Sequence, residues 1–117
     1  FDTVFFSDVN GDRIATLYVP DASSSNGVGV ALGHWWTATR HTPRCWAETL
    51  AANGYTAMAF DYYDFNYRHN VCKYPTPVTT FKLAVEFLRR GADRFGITTG
   101  KVVGFGQSEA SWHWGQA

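Results

Sequence analysis

Two hydrophobic patterns follow one another along the chain. In the first, residues 13–19 set Ile14, Leu17 and Val19 in a run rich in β-branched and aromatic side chains, preceded by a weaker alternation over residues 3–7. Between them, Asn10-Gly11 suits the positive φ angles of a tight hairpin turn, so the segment predicts two antiparallel strands. Pro20 ends the second, and the polar, Ser-rich residues 21–27 read as a surface connection.

From residue 28 the pattern changes to short continuous apolar runs, at 28–32, 55–60 and 101–105, separated by segments of helical periodicity. Strands covered on both faces by crossover helices read this way, because neither face is left for polar residues. Thr42-Pro43 and Thr76-Pro77 each place a capping hydroxyl before a proline, whose missing N–H costs nothing in a first helical turn. The first helix stops at Asn53-Gly54, suited to the left-handed conformation that follows a helix. In the second, Val78, Phe81, Val85, Leu88, Ala92 and Phe95 recur at spacings of three and four, with Lys82, Glu86 and Arg90 in a charged row on another face. The expected fold class is therefore α/β: a mostly parallel sheet with an N-terminal antiparallel hairpin, and a further helix opening after residue 105.

Composition narrows the function more than the fold. Lys plus Arg and Asp plus Glu stand at ten each, for a formal net charge of zero, so no charged surface points to nucleic acid. The apolar runs are far shorter than the ~20 residues of a membrane-spanning helix. Cys45 and Cys72 form no C-x-x-C pair and have no His at metal-ligand spacing; two reduced thiols packed as small hydrophobes is the favoured reading over a disulfide. No metal or cofactor is implied.

The chemistry concentrates at the end of the last apolar run. There Val102-Val103-Gly104-Phe105 leads into Gly106-Gln107-Ser108-Glu109-Ala110, a Gly-x-Ser-x-Ala stretch. A nucleophile elbow turns so sharply that the positions two before and two after the serine must be small, and Gly106 and Ala110 satisfy this. Such a turn lifts the serine hydroxyl clear of the sheet and aims the next main-chain N–H at a developing oxyanion. From the residues alone, Ser108 is either that nucleophile or the N-cap of the following helix. The second chemical stretch, Gly33-His34-Trp35-Trp36-Thr37-Ala38-Thr39, directly follows the run at 28–32.

Taken together these stretches resemble the α/β-hydrolase superfamily, and most of all its dienelactone-hydrolase-like esterases and peptidase-type hydrolases. The resemblance is carried by His34, Trp36, Thr37 and Thr39, then Leu50-Ala51-Ala52-Asn53-Gly54-Tyr55, then Ala59-Phe60-Asp61-Tyr62, then the Ser108 stretch, in that order over nearly the whole chain. Trp35, Ala38 and Ala110 stand where the family pattern has glycine. The resemblance implies a three-layer α/β/α hydrolase fold with strand order 1-2-4-3-5. It further implies Ser108 as nucleophile, the main-chain N–H groups of Trp36 and Glu109 as oxyanion donors, and His34 as the histidine that supports the oxyanion loop. His41, His69 and His113 follow no motif. Asp61 and Asp64 lie where the family has no triad acid and are expected to satisfy their own loop. Trp35, Trp36, Tyr62, Tyr63, Phe65 and Tyr67 either line an apolar pocket or pack over the core.

In that family the acid and base follow the serine on later strands, whereas this sequence runs to residue 117. The expectation is that residues 1–117 are the N-terminal part of a single hydrolase domain, truncated after the elbow, acting on a small-molecule ester through an acyl-enzyme with base and acid supplied by other polypeptide. The alternative is a non-catalytic fragment or pseudoenzyme serving as a binding or assembly module. The expected partner is the remaining hydrolase segment, or a second copy joined through the edge of the 101–105 strand.

Overall fold

A computed structural model describes residues 1–8, 11–34, 39–61 and 76–106. It opens with the hairpin: β1 (Asp2–Asp8) pairs antiparallel with β2 (Gly11–Tyr18), Asp8 opposite Gly11. The weak alternation of β1 has a physical cause. The register shifts between Val4 and Phe6, and the extra residue of such a bulge resets which face the next side chain takes. Phe5 turns into the core while Val4 stays exposed.

β3 (Val28–Gly33), β4 (Thr56–Phe60) and β5 (Lys101–Gly106) complete one sheet of order β1-β2-β4-β3-β5, the expected order. β3 is parallel to both β4 and β5, and β2 meets β4 antiparallel. Each apolar run ends within a residue of its strand.

Period-two alternation divides the two sheet faces between different helices. Ala31, Met58 and Phe60 pack with Phe81, Ala84 and Leu88 of α2 (Thr76–Arg90) and with Phe95 of α3 (Ala92–Phe95). The Phe60 ring meets Phe81 edge-on at 5.0 Å and Phe5 at 5.8 Å. Val30, Leu32, Ala57 and Ala59 instead pack with Ala47 of α1 (Arg44–Ala52). The buried part of the second face is aliphatic, whereas the first is rich in aromatic rings.

Four local expectations are corrected. Thr42 does not cap α1: Pro43 takes the N-cap position with no side-chain cap bond, and the Thr42 hydroxyl accepts from the Thr39 N–H at 3.3 Å. The single helix expected through Phe95 breaks at Gly91. There the Phe95 ring folds back so closely that a Cβ on Gly91 would collide with it. Cys45 is no buried hydrophobe but an exposed free thiol on α1; Cys72 lies outside the described residues. Gly11 already pairs in β2, so it is a strand residue, and Asn10 lies outside the described residues.

The end of α1 forms as the sequence predicts. The Gly54 N–H reaches the Ala51 carbonyl at 3.1 Å and the Tyr55 N–H reaches that of Leu50 at 3.0 Å, with Gly54 at φ 93°. This is the Schellman pattern, which satisfies the last helical carbonyls.

Candidate functional site

Three strands end level. Gly33 of β3 pairs with Phe60 of β4 on one side and with Gly106 of β5 on the other, so the chain leaves all three strands at the carboxyl edge of the sheet. The strand order also reverses at β3, because the chain passes outward to β4 and returns across β3 to β5. In open α/β sheets such a reversal opens a crevice above the carboxyl ends of the strands, where ligands bind.

The sequence candidates follow these strand ends. Ser108 and Glu109 come two and three positions after Gly106, and Trp36 three after Gly33. All three lie outside the described residues, as do the expected positive φ at Ser108 and its approach to the Trp36 N–H. Trp35, Tyr62, Tyr63, Asp64, Phe65, Tyr67, His69, Ala110 and His113 lie outside them too. His34, the one described member of the candidate set, follows Gly33 directly and is 1% exposed. His41 is exposed.

Asp61 is expected to satisfy its own loop, which lies outside the described residues; among the described residues it serves the loop after β3. Its carboxylate accepts the main-chain N–H of Arg40 on Oδ1 at 2.7 Å and the Arg40 Nη1 on Oδ2 at 2.8 Å. Its own N–H donates to the Ile14 carbonyl at 3.0 Å, which ties it to β2. Arg40 reaches further, with Nε donating to Thr16 Oγ1 at 3.2 Å and Nη2 lying 3.5 Å from Asp2 Oδ2. The Thr16 hydroxyl in turn donates to Asp2 Oδ1 at 2.5 Å.

Arg40 is the residue that sequence reasoning passed over, since it belongs to no motif. The available signal is topological: adjacent parallel strands end side by side, so a basic residue in the loop after one can reach an acid at the end of the next.

Among the described residues, no group of three or more His, Cys, Asp or Glu is arranged to hold a metal, and no helix is long and apolar enough to cross a membrane. A shallow cleft lined by Phe5, Phe87, Arg90, Arg94 and Phe95 opens at the far end of α2. Because α2 runs back from the carboxyl edge, this cleft is no part of the site.

No protein-family model and no curated protein sequence matches the chain. Solved structures do. The native form of a thermophilic esterase, esterase 2 of the planctomycete Thermogutta terrifontis, superposes with a TM-score of 0.82 at 25% identity, over 97% of this chain. The propionate-bound form matches equally, with a TM-score of 0.82 at 25% identity and 97% coverage. The form phosphorylated by paraoxon follows at a TM-score of 0.79 and 24% identity, again over 97% of this chain. The chain spans 41%, 43% and 45% of the length of these three structures. Its described residues carry an esterase-like hydrolase fold.

Proposed function

We propose that this chain is the nucleophile-bearing part of a serine hydrolase that cleaves carboxylic esters, or related acyl bonds, through an acyl-enzyme. The observation that carries the reading is the shared level of Gly33, Phe60 and Gly106. It brings the loop of His34 and the Gly-x-Ser-x-Ala stretch out of neighbouring strands at the same edge, where the elbow chemistry requires them. The likeness to an esterase whose solved forms bind propionate and react with paraoxon supports the same reading.

In this reading the Ser108 Oγ attacks the acyl carbon and its proton passes to a base. The main-chain N–H groups of Trp36 and Glu109 hold the oxyanion, and the His34 side chain supports the loop of Trp36. The ester C–O bond then breaks, and the alcohol leaves with the proton returned by the base. Water repeats the sequence on the acyl-enzyme and releases the carboxylic acid. Base and acid come from polypeptide beyond these residues. A three-layer sandwich and the dienelactone-hydrolase-like subtype are the finer parts of the proposal and rest on the sequence motifs. Short-chain esters are the substrates to try, by likeness to the propionate-bound esterase.

A fluorophosphonate probe on the full-length polypeptide tests the proposal. Labelling that disappears in Ser108→Ala, with ester turnover lost alongside, is the expected result. A full-length protein neither labelled nor active on p-nitrophenyl propionate is no serine esterase.

A further inference from the structure

We infer that Arg40 is a positioning residue for the oxyanion loop. Its clamp on Asp61 fixes where the chain rejoins the fold after that loop. The inference rests on the proposed role of Trp36 as oxyanion donor.

Both ends of the loop are anchored. At its start, His34 is buried directly behind the last rung of β3. At its end, residues 39–42 form a turn closed by two hydroxyls: the Thr42 Oγ1 accepts from the Thr39 N–H, and the Thr39 Oγ1 accepts from the His41 N–H, each at 3.3 Å. Arg40 then fastens that turn to Asp61 twice, once through the main chain and once through the guanidinium. A main-chain bond specifies the path of the backbone, which a side-chain ion pair alone does not.

The clamp is also rigid enough to matter. The Arg40 and Asp61 side chains are only 18% and 12% exposed. Exposed ion pairs fluctuate and are screened, whereas a charge-assisted pair withdrawn from water holds its geometry. The remaining nitrogens of Arg40 reach Thr16 on β2 and Asp2 on β1, so the guanidinium ties the loop to two strands of the sheet and to the residue that follows β4. Oxyanion donors work only when placed to within a fraction of an ångström, so the proposed role of Trp36 requires that the points where the chain leaves and rejoins the fold be held.

The test uses the full-length polypeptide with p-nitrophenyl propionate as substrate and paraoxon as a single-turnover probe. In Arg40→Gln, kcat and the rate of paraoxon phosphorylation should fall together, by up to about 100-fold, while KM stays within about threefold. Arg40→Lys should recover part of kcat, because it keeps the charge but loses the fork to Thr16. The pH profile of kcat should keep its shape in both variants. Asp61→Asn combined with Arg40→Gln should cost little more than Arg40→Gln alone, as two halves of one device do. A folded Arg40→Gln with kcat within about twofold of the parent overturns the inference. Should that variant not fold, an Arg40→Lys protein with parental kcat overturns it equally. Absence of Ser108-dependent turnover in the parent removes the proposed function and this inference with it; an active parent indifferent to Arg40 removes the inference alone.

Discussion

Gly54 lies so close to Ser24 that a Cβ on its α-carbon would overlap the Ser24 carbonyl oxygen. The approach has a purpose in the fold: the Asn26 N–H donates to the Gly54 carbonyl at 2.8 Å, pinning the Ser-rich loop to the turn between α1 and β4. Gly54 also needs φ 93° to close the Schellman turn. Two separate constraints therefore meet at one residue.

They are separable by experiment. Gly100 has φ 72° and no atom within 4 Å of the place a Cβ would take, so Gly100→Ala meets only the left-handed penalty, about 1 kcal/mol. Gly54→Ala meets the same penalty plus a main-chain collision, and should cost about 2–4 kcal/mol. Urea denaturation of the two variants should give a clear gap between their midpoints. Equal midpoints would mean that the Ser24 loop moves aside without cost.

A second buried contact joins β4 to the end of α3. The Thr56 hydroxyl, on a side chain 1% exposed, donates to the Phe95 carbonyl at 2.7 Å. Thr56→Val keeps the shape but leaves that carbonyl without its buried donor, which should cost about 1–2 kcal/mol. Thr56→Ser keeps the bond and loses one methyl, at a cost of about 1 kcal/mol in buried CH2. A Val variant as stable as the parent in urea would show that another donor replaces the hydroxyl.

The parts of this fold that are legible in the sequence are those in which a single local pattern decides the outcome. Continuous apolar runs at 28–32 and 55–60 mark β3 and β4 because both sheet faces are covered there, the run at 101–105 marks β5 although β5 is largely exposed among the described residues, and Asn53-Gly54 marks the end of α1 because only a few residues accept positive φ. What is not legible depends on contacts between segments distant in sequence. The Phe95 ring ends α2 by folding onto Gly91, and periodicity over 78–95 carries no trace of that. Arg40 is invisible for the same reason, since its partner Asp61 is 21 residues away. The strand-end geometry around the candidate site is visible in the described residues, whereas Ser108, Glu109 and Trp36 rest on their motifs.

The acid limb of the stability curve should carry a small signature of Asp2. Its pKa is held below the ordinary value of 3.8, chiefly by the hydrogen bond from the Thr16 hydroxyl, with Arg40 adding to the effect. Folding thus favours the ionised form, and the unfolded chain binds the proton more readily. The stabilisation is complete above the unfolded value and fades as pH falls through the lower, folded one. The gap in urea midpoint between the parent and Asp2→Asn should be constant from pH 7 to about 5 and close below about 4. The effect should be slight, because Asp2 is largely exposed, and should weaken with added salt. A gap that widens on acidification would contradict the assignment.

The final expectation concerns β5. Among the described residues it pairs with β3 alone, at the margin of the sheet. Val103 is 52% exposed on it, and the nearby Phe105 ring meets the half-exposed Trp46 at 5.5 Å. A parallel-type strand in this position presents unpaired N–H and carbonyl groups together with apolar side chains, a combination that recruits another strand. We propose that the partner is the remaining hydrolase segment and that, in its absence, a second copy takes its place. Residues 1–117 produced alone should therefore sediment as dimers or larger species at micromolar concentration. Val103→Lys should shift them toward monomer, because a lysine on an edge strand disfavours pairing with another strand. In the full-length polypeptide the same substitution should instead lower the urea midpoint, since the lysine would then be buried against the segment that covers β5. A 117-residue chain that sediments as a cooperatively folding monomer, with or without Val103→Lys, would mean that this edge needs no partner.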